Sequence, residues 1–477
     1  MDTFGVTDKI KVSKLNIRLT PFELFKHIDR EYGKKTFILE SLTGPKEMSE
    51  ISIIGFDPYA IICSDDKRVY ATFVDGRRES YSIDEVDPLT YMRSVMPKIS
   101  DHRFRYVGGA VGYVCYDSVR YWERLDRKLL KDYPYIEFCL YANNIIYDHS
   151  NAMVYYLGDD NDIIDRLEAY DSIDYSNNTN SNGNSYYYDF SSSEPRSSIE
   201  KDEFFSMIDK AKEYILSGDI YQVVLSNRLD LSVKGNPLAF YSMLRDINPS
   251  PYMYYLHMGS NSYDRYIIGS SPEMLVRVNN YTVETFPIAG TRKVTNDPIV
   301  NARLREELLN DEKEIAEHTM LVDLARNDIG RVCKWGSVKV IDFMSVKVFS
   351  HVQHIVSHVV GTLRNDCDSY EALRAVFPAG TVTGAPKVRA MEIIDELEPT
   401  ARGPYAGAVG YFSFNGNCDF AIAIRSMFIN GNDAYIQTGA GIVADSKPEN
   451  EWLETEHKAN ALLEALRRVN GYEDSNN

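Results

Sequence analysis

The alternation of hydrophobic and polar positions predicts short strands in the first third of the chain and longer, more regular elements afterwards. The runs SEISIIGF, YATFVDG and NNIIYD have the pattern of strands, whereas PFELFKHIDREYG has the spacing of an amphipathic helix. The regular βαβ alternation of a doubly wound fold is missing. The pattern therefore predicts an α+β fold with large, mostly antiparallel sheets flanked by helices.

A longer helix is predicted after a capping box formed by Ser197 and Glu200, and Gly218 is expected to end it. A strand over residues 221–225 follows at once. It carries Gln222 at a position where a long apolar side chain is more typical. The apolar positions of the helix recur at helical spacing and are Phe204, Ile208, Ala211 and Ile215.

A break in composition divides the chain. Ser and Asn dominate residues 170–198, and no helical or strand period continues through them. We therefore predict an N-terminal region over residues 1–169, a linker or surface loop over 170–198, and a second region over 199–470.

Charge and composition exclude several classes of partner. The chain has 477 residues, of which 44% are hydrophobic, so it can bury a large core. Its 52 basic and 70 acidic residues give a net charge of −18, which argues against nucleic acid and anionic membranes as partners. The N-terminus lacks an apolar signal core, and six cysteines without a CxxC pair suit reduced thiols. A cytoplasmic protein is predicted.

Two predicted helices each carry a Glu-x-x-Glu pair, Glu314 with Glu317 and Glu451 with Glu454. Residues three apart share one face of a helix, so two such helices facing each other would bring four carboxylates together. With water and a substrate oxygen, that set can hold Mg²⁺. A solvated acidic surface is the alternative. Glu317 and Glu454 continue stripes that run toward the core, where an unpaired carboxylate is costly, and this favours the metal site.

The segment HVQHIVSHVVG contains three histidines, His351, His354 and His358. Its β-branched alternation predicts a strand, on which His354 and His358 share a face and His351 points away. A zinc site of three histidines is therefore not expected. Packed histidines are the simple interpretation, and an acid or base near neutral pH is the alternative.

Two glycine-rich turns and one cation suggest an anion site. Gly380, Thr381 and Gly384 precede Pro386, the expected first residue of a helix, and QTGAGIVADS at residues 437–446 forms a second expected turn. Free backbone amides in such turns can bind an anion, although a tight turn needs glycine in any case. Arg425 lies in the apolar run FAIAIRSMF, where a cation requires an anionic partner. Together these features predict a dicarboxylate or similar anion beside Mg²⁺.

Motifs spread over residues 200–466 resemble, in order, those of the chorismate-utilising enzyme family. They are GDIYQVVLS, SSPEMLVRV, PIAGTRK, EHTMLVDLARNDIGR, HVQHIVSHVVG, GTVTGAPKVRAMEIIDELEP, RGPYAGAVGY, AIAIRSM and GAGIVADSKPENEWLETEHKA. The N-terminal segments FILES, SIIGFDP and GGAVGYVCYDSVRYWE resemble the amino-terminal region of the anthranilate-forming members. The resemblance implies the fold of that family.

The resemblance also interprets Gln222. Family members that add water to chorismate carry a lysine at the matching position, where it activates the water, and members that add ammonia carry a glutamine. Ammonia is already a nucleophile and needs no such base. Aminodeoxychorismate-forming members commonly have a lysine where this chain has Ala289, so the anthranilate-forming reaction is favoured over that alternative. A non-catalytic tryptophan-binding homologue is a further alternative, disfavoured because the metal ligands and His354 are retained.

The implied reaction converts chorismate and ammonia to anthranilate and pyruvate through an aminodeoxyisochorismate intermediate, the first step of tryptophan biosynthesis. Mg²⁺ is the implied cofactor. The sequence shows no Cys-His-Glu amidotransferase domain after residue 466, so a separate glutamine amidotransferase subunit is expected to deliver ammonia. Tryptophan is the implied feedback inhibitor, bound in the N-terminal part.

Site residues follow from the resemblance position by position, although each has a plain packing or turn role as its alternative. Catalytic roles fall on Gln222, Glu273, His354 and Thr381. Chorismate is expected to contact Gly290, Thr291, Tyr405, Arg425, Gly439, Ala440, Gly441 and Lys458. Mg²⁺ is assigned to Glu317 and Glu454 directly, and to Glu314 and Glu451 through water. The tryptophan pocket is assigned to Glu40, Ser41, Pro251, Tyr252 and Met253. The family often has an arginine shortly before Ser-Ile-Ile-Gly, where this chain has Glu50 and Ile51.

Overall fold

Two large antiparallel sheets form the body of the protein. The computed structural model describes residues 9–44, 50–125, 128–177, 189–259, 264–349 and 352–471. Within these ranges, one sheet has 13 strands and the other has 12, and neighbouring strands run antiparallel. The predicted α+β class with antiparallel sheets is confirmed.

The first sheet joins strands from both ends of the chain. Numbered along the chain, its strands are β1 Val12–Leu15, β2 Phe37–Glu40, β3 Ile51–Phe56, β9 Asn143–Asp148, β10 Met153–Leu157, β11 Phe190–Ser192, β12 Arg196–Ser197, β13 Gln222–Gly235, β14 Tyr252–Met258, β15 Arg265–Ser271, β21 Gly384–Ala385, β24 Ser426–Asn430 and β25 Asp433–Ile442. Their order is β1-β10-β9-β3-β2-β14-β15-β24-β25-β13-β11, and β12 and β21 also pair with β13.

The second sheet is built in the same way. Its strands are β4 Ala60–Ser64, β5 Arg68–Phe73, β6 Arg78–Ser82, β7 Gly109–Val114, β8 Ile136–Tyr141, β16 Met274–Asn279, β17 Thr282–Thr285, β18 Ile288–Lys293, β19 Lys339–Val348, β20 Val352–Thr362, β22 Ala408–Ser413 and β23 Cys418–Ile422. Their order is β18-β20-β17-β16-β23-β22-β7-β8-β4-β5-β6, and β19 pairs with β20.

Helices flank the sheets. They are α1 Pro21–Tyr32, α2 Pro88–Val95, α3 Asn161–Asn177, α4 Lys201–Leu216, α5 Leu238–Ile247, α6 Pro298–Leu309, α7 Glu312–Gly330, α8 Ser369–Val376, α9 Lys387–Leu397 and α10 Pro448–Val469. Short 3-10 turns cover Tyr116–Tyr121 and Gly380–Val382. No helix within the described ranges is long and apolar enough to cross a membrane.

The main hydrophobic core lies between the two sheets, as the alternation along β14 shows. Tyr254 and Leu256 pack into the core shared with second-sheet residues such as Phe138. Met253 and Tyr255 point the other way, into a second core beneath α1, α5 and α10. Successive side chains of a strand face opposite sides of the sheet, so each first-sheet strand contributes to both cores. All six cysteines are free, as expected.

The predicted capping box of α4 is wrong. Ser197 belongs to β12, and its hydroxyl donates a hydrogen bond to the Ile199 carbonyl at 2.7 Å instead of to the helix. Glu200 occupies the N-cap position without a side-chain cap. The end of the helix is confirmed, because α4 stops at Leu216 and Gly218 takes a φ of +84°.

The predicted linker is partly folded. Residues 170–177 belong to α3, and β11 and β12 add two short strands beside β13, while residues 178–188 lie outside the described residues. The regions 1–169 and 199–470 share both sheets, because β2 pairs with β14 and β7 pairs with β22. Ser and Asn composition alone could not show this, since a polar segment can still pair with a strand edge.

Candidate active site

A cavity of about 480 Å³ collects most of the predicted site residues. It lies where β13, β18, α7, α10 and the 3-10 turn at Gly380–Val382 meet. Its lining includes Gln222, Glu273, Gly290, Thr291, Glu314, Glu317, Thr381, Tyr405, Arg425, Gly439, Glu454 and Lys458. These residues come from segments far apart in sequence, so the fold brings the expected constellation together.

Gln222 begins β13, and its side chain lines the cavity while only 7% of the residue is exposed. The side-chain amide lies beside the Glu317 carboxylate and acts to lower its pKa, which favours the ionised form of that acid. Gly441 leaves room for it, since a Cβ there would lie 2.6 Å from Gln222 Nε2. The unusual polar side chain of this strand therefore lines the cavity instead of packing in the core.

Three of the four predicted carboxylates, Glu314, Glu317 and Glu454, line the cavity from α7 and α10, and Glu451 does not. Burial raises the pKa of Glu317, and the charges of Glu314 and Glu454 raise it further. Burial likewise raises the pKa of Glu451, which is 8% exposed. Glu454 was expected near the core, but its side chain is 46% exposed at the cavity rim and pairs with Lys458 at 2.7 Å.

A divalent cation fits this donor set, although it is not preassembled. Among the residues that the structure describes, no three His, Cys, Asp or Glu side chains stand close enough to form a ready metal cluster. Glu314 instead pairs with Arg292 at 3.3 Å, and Glu454 with Lys458. The mutual repulsion that raises the pKa of Glu317 is the kind of cost that Mg²⁺ would remove.

Arg425 is a mostly buried cation that lines the cavity. It lies between β23 and β24 rather than inside a strand, which corrects the expectation from its apolar neighbours, and it takes a φ of +50°. Burial lowers its pKa, and the charge of Glu273 opposes this shift. Within the described ranges its guanidinium has no ion pair or hydrogen bond. A mostly buried guanidinium that lines a cavity without a partner is stabilised by an anionic ligand, so this cavity suits an anion.

Glu273 also lines the cavity, beside Thr381. Burial raises the pKa of Glu273 to about 7, although the Thr381 hydroxyl and the charges of Lys458 and Arg425 oppose the rise. A carboxyl with that pKa can donate a proton at neutral pH. The exposed part of the residue faces the cavity that it lines.

His354 lies on β20 behind Gly290 and Thr291 and is 7% exposed. Its Nδ1 is 2.8 Å from the Gly290 carbonyl, which can only accept, so Nδ1 carries a proton and Nε2 is free to act as a base. Burial lowers its pKa, which keeps the ring neutral at pH 7. Gly290 itself takes a φ of +64°, and a Cβ there would lie 2.8 Å from Leu308.

The other histidines of this segment do not join the site. His358 bonds Glu284 at 2.9 Å and stacks on Phe286, as its packing interpretation predicted. His351 lies outside the described residues.

The GAG segment is part of β25, so the prediction that its glycines form a turn is wrong, and the turn within residues 437–446 lies after them, where the Ser446 amide donates to the Val443 carbonyl at 3.0 Å. The amides of Val224 and Ser226 donate away from β25, at 2.8 Å each, to acceptors on other elements. Leu225, the residue between them, lies opposite Ala440 in the ladder. Hydrogen-bonded pairs alternate with non-hydrogen-bonded pairs along an antiparallel ladder, so the Ala440 amide points to β13. Gly439 and Gly441 direct theirs to the other edge, which no described strand covers beyond Ile436.

Tyr405 and Lys458 complete that wall. Lys458 Nζ donates to the Gly439 carbonyl at 2.8 Å, which holds the lysine over the open edge of β25. The Tyr405 hydroxyl lies 2.9 Å from where a Cβ of Gly439 would be. Only glycine therefore lets the tyrosine reach the cavity at this point.

The residues predicted for tryptophan line a second, smaller cavity of about 50 Å³ between the two sheets. Glu40 is held there by Arg245 at 2.8 Å and by the Tyr241 hydroxyl at 2.9 Å. The Ser41 hydroxyl donates to the Pro251 carbonyl. All five residues predicted for this pocket line the cavity, namely Glu40, Ser41, Pro251, Tyr252 and Met253.

Arg105 was not predicted, yet it also lines the smaller cavity. Its Nη2 lies 3.4 Å from Glu50, the residue that stands near the position where the family often has an arginine. Its buried Nε makes no hydrogen bond among the described residues. The only available signal was the basic residue before the glycine pair of RYVGG, which is too weak to identify a site.

Comparison with known proteins defines the class. A family model described as chorismate binding enzyme matches residues 34–464, and the chain belongs to that family. A protein named anthranilate synthase component 1 from Methanothermobacter marburgensis is 43% identical over 100% of this chain and 99% of the relative. One from Saccharolobus solfataricus is 43% identical over 94% of this chain and 97% of the relative. The crystal structure of anthranilate synthase component I from Streptococcus pneumoniae superposes with a TM-score of 0.74 at 36% identity, covering 87% of this chain and 92% of that one.

Proposed function

We propose that the chain is a chorismate-aminating, pyruvate-eliminating lyase that forms anthranilate, as its relatives' names indicate. The observation that carries this proposal is that one cavity is lined both by a neutral amide, Gln222, and by a cation without an ion-pair partner among the described residues, Arg425. An anionic ring substrate satisfies the cation. A nucleophile that needs no base, ammonia, suits the amide, because Gln222 cannot accept a proton from water at neutral pH.

In the proposed reaction, Arg425 and the amides of Gly439 and Gly441 hold the carboxylates of chorismate. Gln222 orients ammonia as it adds to the ring, and Glu273 gives its proton to the departing C4 hydroxyl, which leaves as water. Neutral His354 then accepts a ring proton while the enolpyruvyl group leaves as the enolate of pyruvate, which takes up a proton to become pyruvate, and the ring becomes aromatic. Each assignment uses a group whose protonation state the structure supports.

Mg²⁺ would be held by Glu317 and Glu454, with Glu314 and Glu451 nearby, and when bound it would neutralise the ring carboxylate and the developing charge on the C4 hydroxyl. Lys458 keeps Glu454 at the cavity rim through their 2.7 Å contact. The relatives' designation as component 1 supports a second component, for which we propose a glutamine amidotransferase subunit that supplies ammonia.

The direct test is fluorescence of the purified chain with chorismate, Mg²⁺ and ammonium salt. Anthranilate formation supports the proposal. Consumption of chorismate without anthranilate would favour an aminodeoxychorismate product, which the buried Ala289 argues against because it offers no amine to attack the ring. No consumption at all would favour a non-catalytic binding protein.

The rate should fall as the pH rises through about 7, because Glu273 loses its proton there and can no longer act as an acid. A pH profile of kcat at saturating chorismate measures this. The variant Glu273→Gln should be slower and should lack this alkaline limb. If the fall in rate above pH 7 persists in Glu273→Gln, a group other than Glu273 is responsible for it.

We also propose tryptophan as an inhibitor bound in the smaller cavity, which has to widen to admit it, because ligand sites usually exceed about 300 Å³. The guanidinium of Arg105 lines this cavity and would exchange its long contacts with Glu50 and Asp419, at 3.4 and 3.7 Å, for the carboxylate of the amino acid.

Arg105→Gln should raise the tryptophan concentration for half-inhibition about tenfold, since it removes one charge-assisted contact. Each variant's inhibition is measured against its own uninhibited rate. Arg78→Gln, on the exposed edge strand β6, removes an equal charge and should leave inhibition unchanged. Equal inhibition constants for wild type and Arg105→Gln would exclude Arg105 from the site.

A further inference from the structure

Arg402 and Glu398 form a fully buried ion pair directly behind the catalytic cavity. They are 1% and 3% exposed and meet through two parallel hydrogen bonds, Nε to Oε2 at 2.8 Å and Nη2 to Oε1 at 2.6 Å. Neither residue lines the cavity. A buried ion pair is weak evidence for stability, so the position of this pair calls for another reason.

The guanidinium joins two separate segments of the cavity wall. Its Nη2 donates to the Val224 carbonyl at 2.7 Å, two residues after Gln222 in β13. Its Nη1 donates to the Val382 carbonyl at 2.7 Å, next to Thr381 in the 3-10 turn. These two segments already pair through their backbones, since the Val224 amide donates to the Thr383 carbonyl at 2.8 Å, and the guanidinium adds a second link closer to Thr381.

Glu398 extends the connection along the same edge of β13, the edge that faces away from β25. Its Oε1 accepts hydrogen bonds from both the amide and the hydroxyl of Ser226, at 2.8 and 2.7 Å. The Ser226 hydroxyl in turn accepts one from Gln437, which lines the cavity from β25. The guanidinium also lies 5.7 Å from the ring of Tyr405, another wall residue.

We propose that the Glu398–Arg402 pair is a positioning element of the active site, which fixes Gln222, Thr381 and Tyr405 relative to one another without touching substrate. The planar guanidinium is needed, because a lysine ammonium cannot hold a carboxylate bidentately and reach two carbonyls on different segments. Displacement of a catalytic group by about 1 Å can cost about 100-fold in rate.

The test compares Arg402→Lys with Arg265→Lys. Arg265 forms an equally buried two-bond pair with Glu137, at 2.8 and 3.1 Å, and lies outside the cavity, so it matches the loss of a buried guanidinium. Both variants should lose comparable thermal stability. Only Arg402→Lys should lose about 10- to 100-fold in kcat, with a smaller change in the KM for chorismate.

The activity assay rests on the proposed function. Hydrogen–deuterium exchange gives a second readout that does not depend on it. Peptides covering residues 222–228 and 380–385 should exchange faster in Arg402→Lys and remain at the wild-type rate in Arg265→Lys. Unchanged exchange, or equal losses of kcat in the two variants, would overturn the proposal. If wild type forms no anthranilate, the proposed function fails while the exchange result still decides the positioning role.

Discussion

Arg425→Gln should lower kcat/KM for chorismate about 100-fold, since about 3 kcal/mol is typical for losing one partner of a buried charged contact. Arg425 lines the cavity, and in the described part of the chain no carboxylate pairs with its guanidinium. Burial already lowers the pKa of this group, so its charge is costly unless a ligand compensates it. Steady-state kinetics with chorismate as the varied substrate measure the effect.

Two variants sharpen that result. Arg303→Gln removes the same charge from an exposed residue that pairs with Glu307 on the surface of α6, and it should retain wild-type kinetics. Arg425→Lys keeps the charge without the planar fork and should lie between wild type and Arg425→Gln. Wild-type kcat/KM in Arg425→Gln would mean that chorismate does not use this cation.

Glu317→Gln should lower kcat about 1,000-fold even at high Mg²⁺, because several kcal/mol of metal-assisted charge stabilisation would be lost. Titration calorimetry should show Mg²⁺ binding to wild type and weaker binding to the variant. The neutral amide keeps the shape of the side chain, so the change isolates the charge.

Without Mg²⁺, the same substitution should raise Tm slightly. The folded-state pKa of Glu317 is raised by burial, so its ionised form destabilises the folded state at pH values above the ordinary glutamate range. Glu306→Gln, on the exposed face of the neighbouring helix α6, serves as the control and should change neither Mg²⁺ binding nor Tm. A stabilised variant that still binds Mg²⁺ with wild-type affinity would remove Glu317 from the metal site.

The residues of the larger cavity were largely predictable because most of them lie in short motifs that can be recognised from the sequence alone. Gln222, Glu317 and Arg425 were each identified by a conflict between a polar side chain and an apolar pattern, and all three line the same cavity. Such conflicts mark functional positions because they are expensive in an ordinary core. The resemblance then assigned a role to each.

Other features could not be predicted because they depend on contacts between distant segments. The glycines at 439 and 441 signalled a turn, yet β13 provides a partner strand that keeps them extended. The polar segment before α4 was expected to be irregular, yet its first residues continue α3 and two short strands near its end pair with β13. Arg105 reaches its cavity from a loop whose path only the folded sheets define. Tertiary pairing overrides local propensity in each case.

The sharing of both sheets between the two ends of the chain has a consequence during synthesis on the ribosome. Strand β7 must wait for its neighbour β22, which lies roughly 300 residues later in the nascent chain. At about 5–20 residues per second, that wait lasts about 15–60 s. During this time β7, rich in apolar residues that end up buried, has one unpaired edge. The emerging N-terminal part is therefore expected to be a natural client for chaperones.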